Sequence, residues 1–300
     1  MRRKLVLGGG GPAGAAWLGA LTEGLLERQV ELRAADELLG TSAGAVLGAW
    51  LSAGEPLARF AVAMRDRAAW HASQPWHMDR SLLGRMGHST GAGHPTEQEI
   101  RHIAAQAARS AEPRSVAEAA AVWSRWLPDA PWPAPLRMVC ADAATGRPHV
   151  WGRSDGLALT EGIAATTAAP GAAAPVLMRG RTWVDGGVRS STNADLITPP
   201  APGAYERVLI LAPLPNATLD IEVAGLRRSG ADVTVVTPDE RTNAVLTGGG
   251  DRILDPEITE EAARAAKAQA EAAAWLRDWW NADRRGDAPP DTESGSPEGA

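Results

Sequence analysis

The sequence predicts a single α/β domain with a mostly parallel sheet, and three observations support this prediction. Short apolar runs occur at residues 5–7, 38–39 and 208–211, and each is followed by apolar residues at helical spacing. Strands that alternate with helices in this way are typical of parallel βαβ units. A chain of 300 residues with 44% hydrophobic content is long enough to bury the core of one such large domain.

The first predicted strand runs into four consecutive glycines, residues 8–11, and then into a helix with Leu18, Leu21 and Leu25 on one face. Glycines at such a junction allow positive φ angles and let several backbone N–H groups point at one spot. The start of a helix adds to this effect, so the loop suits a phosphate or an oxyanion equally well. The loop therefore predicts an anion site without identifying the anion.

The same loop also fits the dinucleotide-binding fingerprint G-x-G-x-x-G, at Gly9, Gly11 and Gly14. That interpretation requires an acidic residue at the end of a second strand, about 20 residues further on. Glu31 and Asp36 stand at about the right distance, but residues 30–35 form a poor strand pattern. A nucleotide-binding protein is the main alternative to an enzyme.

A serine between glycines follows the second apolar run, in the pentapeptide Gly40-Thr41-Ser42-Ala43-Gly44. A G-x-S-x-G motif can place its serine on a tight strand-to-helix turn, where only small neighbours fit. Apolar residues then recur at helical spacing, so Ser42 would lie at a helix N-terminus, which favours developing negative charge. Ser42 is therefore a candidate nucleophile supported by Gly40 and Gly44, with an ordinary loop serine as the alternative.

Asp185 follows another predicted strand and precedes Gly186 and Gly187, which would let a neighbouring group approach closely. The last histidine of the chain is His149, so a triad in the α/β-hydrolase order would need its acid before that residue. A pair formed by Ser42 and Asp185 is simpler. Its carboxylate would accept the serine proton and later activate water, and desolvation would raise its pKa toward that of a useful base. A structural turn aspartate is the alternative.

Three segments occur in an order that is typical of a known family: GGGPAGAAWLG at residues 9–19, GTSAGA at 40–45 and VDGGV at 184–188. Together with the small residues and prolines of 164–175, they resemble the patatin-like phospholipases and acyl hydrolases over residues 5 to about 195. The resemblance implies a three-layer α/β/α sandwich and a lipid acyl hydrolase of the phospholipase A type. It also implies a Ser42–Asp185 dyad that needs neither metal nor cofactor, with the oxyanion hole at Gly9, Gly10 and Gly11.

Two positions depart from that family's pattern. Ala13 stands where the family usually carries Arg or Lys, and Trp17 stands where His is frequent. Pro12 has no N–H group, so oxyanion donors would come mainly from the glycines. The resemblance thus supports hydrolysis of a neutral ester more strongly than a preference for phospholipids. A weakly active, patatin-like interaction protein is a second alternative.

Residues 56–135 are predicted to form a variable helical insertion that resembles a cap. Leu57, Phe60 and Met64 indicate one helix in it. Tryptophans are scattered through this insertion, at Trp70, Trp76, Trp123, Trp126 and Trp132. Packing inside the protein is favoured over contact with lipid, although tryptophan serves both roles. Its histidines lack the spacing of a motif such as H-E-x-x-H, so no metal site is predicted at His71, His77, His88 or His94.

A hairpin is predicted from residues 136–141 and 149–151, and a further strand at 233–236. Helices are predicted at residues 157–167 and 255–280. After residue 281 the composition turns to Asp, Pro, Gly, Ser and Glu without periodicity. The hydrolase domain is therefore assigned to residues 1–281 and a disordered tail to 282–300.

Charge and cysteine content favour a cytoplasmic protein that touches membrane surfaces at most transiently. The formal charge of −6 argues against nucleic-acid binding and predicts weak attraction to an anionic membrane. The single cysteine, Cys140, lies in an apolar run, cannot form an internal disulfide and is predicted to be buried. No run approaches the ~20 apolar residues of a membrane span. A lipid or small acyl ester is the expected partner, and the sequence does not specify the oligomeric state.

Overall fold

The computed structural model describes residues 2–74, 78–87, 90–91, 93–199, 205–247 and 258–282. Its strands are β1 Arg2–Leu7, β2 Glu37–Thr41, β3 Arg114–Ser115, β4 Leu136–Asp142, β5 Pro148–Gly152, β6 Val176–Met178, β7 Arg181–Asp185, β8 Glu206–Leu211 and β9 Asp232–Val236. Its helices are α1 Gly11–Glu27, α2 Ala43–Ser52, α3 Leu57–Ala72, α4 Arg80–Leu83, α5 Glu97–Ser110, α6 Val116–Trp123, α7 Leu159–Thr166, α8 Ala217–Arg228, α9 Glu240–Thr247, α10 Thr259–Ala272 and α11 Leu276–Asn281.

The strands form one sheet in the order β3-β6-β7-β4-β2-β1-β8-β9, with β5 paired to β4 outside this path. The central run from β4 through β2, β1 and β8 to β9 is parallel. Antiparallel pairing is confined to β5 and β7 on β4 and to β6 on β7. The predicted mostly parallel sheet and the predicted hairpin of β4 and β5 are both confirmed.

Helices cover both faces of the sheet because alternate residues of its buried strands point in opposite directions. In β1, Leu5 and Leu7 join a core that also contains residues of α1, α2, α3 and α10. Val6 enters a second core with Leu219 and Val223 of α8. The fold is therefore the three-layer α/β/α sandwich that the sequence predicts.

The carboxyl ends of the parallel strands meet at one edge of the sheet. Leu7, the last residue of β1, pairs with Gly40 of β2 on one side and with Leu211 of β8 on the other. Two strands away from β1, Cys140 of β4 pairs with Asp185, the last residue of β7. The glycine loop, Ser42 and Asp185 thus converge at the same edge of the sheet.

The predicted insertion contains α3 to α6, and most of its tryptophans pack inside the protein. Trp123, Trp126 and Trp132 are buried, Trp70 is half-buried, and Trp76 lies outside the described residues. The core interpretation is therefore correct for three of the five. Cys140 is also buried, as predicted.

The C-terminal helix expected over residues 255–280 is instead two helices, α10 and α11. The chain between them tightens into turns, and the Leu276 N–H donates to the carbonyl of Ala273, only three residues before it. This break buries both Leu276 and Trp280, and the Trp280 indole donates to the Glu31 carbonyl at 3.0 Å. Residues 255–257 and the predicted tail after residue 282 lie outside the described residues.

No helix within the described ranges combines the length and the hydropathy that crossing a membrane requires. α1, the longest at 17 residues, packs against α10 so closely that a Cβ on Gly24 would lie 2.6 Å from the Ala270 Cβ.

We expect Gly44→Ala to destabilise the protein by about 3 kcal/mol or more, because overpacking against backbone cannot relax. A Cβ at this position would lie 2.0 Å from the Leu7 carbonyl oxygen. Gly225→Ala in α8 is the matched control, since the nearest atom to its added Cβ is 3.9 Å away. The control should be neutral or gain up to about 1 kcal/mol from helix propensity. Urea unfolding measures both, and a Gly44→Ala value within about 0.5 kcal/mol of wild type would contradict the packing argument.

Candidate active site

Ser42 lies on a sharp turn between β2 and α2. Its φ of 53° and ψ of −120° are unusual for a residue other than glycine. Such backbone conformations cost of order 1–3 kcal/mol and persist only where the surroundings enforce them. The enforcing contacts involve both flanking glycines: a Cβ on Gly40 would lie 2.4 Å from the Ala45 Cα, and Gly44 packs on β1. The side chain of Ser42 remains partly exposed at the N-terminus of α2.

Thr166, which the sequence analysis did not identify, holds the backbone of this turn. Its hydroxyl accepts from the Ser42 N–H at 3.1 Å and donates to the Val139 carbonyl at 2.6 Å. The side chain is fully buried at the end of α7. One hydroxyl therefore connects the turn, the central strand β4 and α7. No spacing rule distinguishes Thr166 from the neighbouring Thr167.

Asp185 ends β7 and is 1% exposed. Its Oδ1 accepts from the Gly187 N–H at 2.7 Å. Its Oδ2 is buried without a partner at full hydrogen-bond geometry, yet the Ser42 hydroxyl lies near enough to act on the pKa of the carboxyl group. Gly186 lets β7 turn here, because a Cβ would lie 2.7 Å from the Val139 carbonyl oxygen. The structure thus brings together Ser42, Asp185 and the two glycines behind Asp185.

Burial raises the pKa of Asp185 to about 7, the value left after its interactions with the Ser42 hydroxyl and the Gly187 N–H lower it partway. A carboxyl group with a pKa near the ambient pH can both accept and release a proton. The site therefore places a hydroxyl on a strained turn next to a carboxyl group whose pKa lies near neutrality.

The glycine loop packs against the turn that carries Ser42, since a Cβ on Gly9 would lie 3.2 Å from the Ser42 Cβ. The Gly9 N–H donates to the Ser191 carbonyl at 2.7 Å and is therefore engaged within the protein. Gly10 caps α1, and Gly11, with φ 59°, begins it. First-turn N–H groups have no intrahelical acceptor, which leaves those of Gly10 and Gly11 as the candidate donors.

A buried polar loop, residues 190–193, braces the site from the side of Asp185. Asn193 adopts a left-handed conformation, and its amide donates to the carbonyls of Gly186 and Ser190 at 3.1 and 2.7 Å. It also lies 3.2 Å from the Thr41 hydroxyl, next to Ser42. The loop therefore ties the two catalytic candidates together. Four consecutive polar residues after the two glycines were a usable signal in the sequence.

Three potential metal ligands, His94, Asp195 and Glu222, lie within 4.8 Å of one another. They already satisfy each other and their neighbours. His94 contacts Glu222 at 2.9 Å, and Arg189 binds Asp195 through two hydrogen bonds. The second oxygen of Glu222 accepts from the backbone of Ala194 at 2.8 Å. The cluster is a hydrogen-bond network that supports the polar loop. His77 and His88 lie outside the described residues.

The acidic residues required by the dinucleotide alternative lie at the wrong edge of the sheet. Asp36 precedes β2 and accepts from the Arg3 N–H at 2.7 Å, near the start of β1. Glu31 pairs with the Arg3 side chain. The glycine loop follows the other end of β1, so neither carboxylate can reach a ribose held there.

A pocket of about 150 Å³ opens beside Ser42. Its walls come from Gly11 and Pro12 of α1, Val46 of α2, one face of α3, and Trp123 of α6. Mostly apolar walls with a few convergent polar groups are typical of a small-molecule site. The insertion thus contributes directly to the walls of the pocket.

We expect Asp185→Asn to stabilise the protein increasingly as the pH rises. The folded wild type keeps its proton up to about pH 7, whereas the unfolded chain releases it near 3.8, so this group reduces stability through that interval. The advantage of the variant should grow by up to about 4 kcal/mol between pH 4 and pH 8, as measured by urea unfolding. Asp66→Asn, at an exposed position of α3, is the control. An advantage of Asp185→Asn that stays constant with pH would contradict the burial argument.

Comparisons with known proteins add to this geometry. No curated protein sequence matches the chain significantly. Among solved structures, VipD from Legionella pneumophila is 12% identical with a TM-score of 0.43, covering 92% of this chain and 67% of its own. The type III effector protein ExoU is 17% identical with a TM-score of 0.42 and also covers 92% of this chain. The chain spans about half of the ExoU chain, 53%.

A family comparison matches residues 5–197 to a domain described as patatin-like phospholipase. The matched segment begins in β1, includes the glycine loop, Ser42 and Asp185, and ends just after the polar loop. It covers more than half of the 300 residues. The resemblance found in the sequence is confirmed, and the chain belongs to the patatin-like phospholipase family.

Proposed function

We propose that this protein is a serine acyl-ester hydrolase of the phospholipase A type, which acts on lipid or small acyl esters through a Ser42–Asp185 dyad. Membership of the patatin-like phospholipase family supports lipid acyl hydrolysis in general. One observation supports the specific dyad above all others. A serine held at positive φ lies beside a buried carboxyl group whose pKa is about 7.

In the proposed reaction, the Ser42 hydroxyl attacks the ester carbonyl while Asp185 accepts its proton. The tetrahedral intermediate then collapses, and the leaving alcohol takes that proton as the acyl-enzyme forms. Asp185 next accepts a proton from water, whose oxygen attacks the acyl carbonyl. When the carboxylic acid product leaves, Asp185 returns its proton to the Ser42 oxygen. Burial of the carboxyl group suits both halves of this cycle, because it disfavours the charged form and so raises basicity.

The proposed oxyanion hole consists of the N–H groups of Gly10 and Gly11, with the Ala43 N–H that follows the nucleophile. All three stand at helix starts, where the peptide dipoles favour negative charge. One such donor is typically worth about 10²–10³ in kcat. Gly9 takes a different part in this scheme: its hydrogen bond to Ser191 fixes the glycine loop against the polar loop of residues 190–193.

We also propose that residues 56–135 act as a cap on a domain that spans residues 1–281. Residues of α3 and α6 line the pocket beside Ser42, which supports this role. A lipid substrate would require transient contact with a membrane surface, and the buried thiol of Cys140 is consistent with a cytoplasmic location.

We expect a fluorophosphonate probe to label wild-type protein and Ser52→Ala, but not Ser42→Ala. Ser52 lies at the other end of α2, which makes it a matched control. Hydrolysis of nitrophenyl butyrate should fall by at least about 10³-fold in Ser42→Ala and remain unchanged in Ser52→Ala. Equal labelling of Ser42→Ala would refute the assignment of the nucleophile. An unlabelled and inactive wild type would instead favour a catalytically quiet interaction protein.

The pH profile of kcat/KM should report the ionisation of Asp185. Because the base must be ionised to accept a proton, kcat/KM for nitrophenyl butyrate should rise about tenfold per unit below pH 7 and level off above it. Asp185→Asn should lack this rising acidic limb of the pH profile and should retain little activity. His149→Asn controls for a titrating imidazole and should keep the limb. A limb that survives in Asp185→Asn would show that another group is the base.

A further inference from the structure

The pocket beside Ser42 carries a cation that the proposed reaction does not use. Met64, Arg67, Ala68 and His71 of α3 recur at three- and four-residue spacing, so one helix face lines the pocket. Three of these four side chains are typical of a core or a pocket wall. Arg67 is the exception, since an arginine on this face points its charge into an apolar wall.

Aromatic rings surround the Arg67 guanidinium. Its carbon lies 4.7 Å from the ring centroid of Trp123, 5.2 Å from that of Trp70 and 5.5 Å from that of Trp126. Its Nε is buried and has no hydrogen-bond partner. Burial lowers the pKa of Arg67 to about 10, so the group remains protonated at neutral pH. The rings hold the guanidinium in place and leave its Nε donor without a partner.

No carboxylate balances this charge among the residues that the structure describes. Arg67 forms no ion pair there, and no acidic residue stands among the described residues that line the pocket. The other ionisable group in the wall, His71, has its pKa lowered by burial and contacts the Ala172 carbonyl at 2.8 Å. Ala13, at the start of α1, is buried among apolar residues and supplies no charge.

Arg67 is partly buried, and an unpaired cation in such a position costs free energy that an anion reaching it recovers in part. Charge-assisted hydrogen bonds from a guanidinium suit the paired oxygens of phosphate and carboxylate. The size of the pocket limits how far this anion can lie from Ser42. A cavity of about 150 Å³ holds a molecule the size of benzene. An anion at Arg67 would therefore lie only a few bonds from an ester at Ser42.

We propose that Arg67 binds an oxyanion of the substrate, a phosphate or carboxylate a few bonds from the scissile ester, and thereby selects anionic acyl esters. This inference rests on the proposed function. It differs from the expectation, drawn from Ala13 in the sequence, that a neutral ester is the preferred substrate. The cation comes from the insertion rather than from the glycine loop.

The first test measures binding without chemistry. Isothermal calorimetry with butyl phosphate and with butanoate is performed on wild type, Arg67→Met, Arg67→Lys and Arg125→Met. Arg125 is the matched control, because it also lies over the Trp126 ring, at 5.1 Å, but is exposed and does not line the pocket. We expect Arg67→Met to weaken binding about 10- to 100-fold and Arg125→Met to leave it unchanged. Arg67→Lys should fall between them, because it keeps the charge and loses the planar fork.

The second test measures selectivity. The ratio of kcat/KM for dihexanoyl-phosphatidylcholine to that for dihexanoylglycerol should fall about 10- to 100-fold in Arg67→Met and stay constant in Arg125→Met. Equal losses on both esters would overturn the proposal, as would wild type that binds neither anion. Should Arg67→Met fail to fold, Arg67→Lys decides, and wild-type binding and selectivity in it would overturn the proposal.

The two proposals fail separately. Loss of anion binding in Arg67→Met, together with a wild type that hydrolyses no ester, would keep the anion site and reject the hydrolase. Binding of butyl phosphate without butanoate would support the proposal and assign the anion to a phosphoester. Butanoate binding alone would support it and assign a carboxylate.

Discussion

The contact between the first turn of α2 and the end of β1 is the constraint on which the site depends. Because Gly44 has no side chain, α2 can approach the Leu7 carbonyl until no side-chain atom fits between them. This approach fixes where α2 starts, and the start of α2 forces Ser42 into its strained conformation. The glycine loop follows Leu7 directly, so the same contact also sets the distance between the loop and the serine. Ser42 and the glycine loop are therefore positioned by the same packing contact.

Electrostatics divides the site into two halves with opposite needs. Asp185 is a carboxyl group whose charged form is disfavoured by burial, and Arg67 is a cation whose burial has no counterion among the described residues. Each is kept in place by neutral groups: backbone N–H and hydroxyl around Asp185, and indole rings around Arg67. An anionic ligand would balance the charge of Arg67 without changing the charge of Asp185. Asp185 and Arg67 are thus two positions beside the same pocket at which burial disfavours charge.

Local patterns predicted the fold well, because the parallel strands are short apolar runs with clear helices between them. Local patterns also placed Ser42 and Asp185 at the ends of strands, where their neighbours are glycines for steric reasons that a motif preserves. They do not reach contacts that tertiary partners decide. Nothing local shows that the Gly9 N–H meets Ser191, that Thr166 bridges α7 and the nucleophile turn, or that Trp280 packs under residue 31 and interrupts the last helix. Arg67 was overlooked for a related reason, since only the positions of three tryptophans make its charge exceptional.

Under the proposed function, the positive φ of Ser42 places stability and activity in opposition at a single residue. Glycine tolerates that conformation without strain, whereas any side chain with a Cβ bears its cost. A glycine at this position would relax the turn and abolish the hydroxyl in the same step. Selection for a sturdier fold and selection for turnover therefore act in opposite directions on residue 42, and a lineage that no longer needed the chemistry would have a physical reason to lose the serine first.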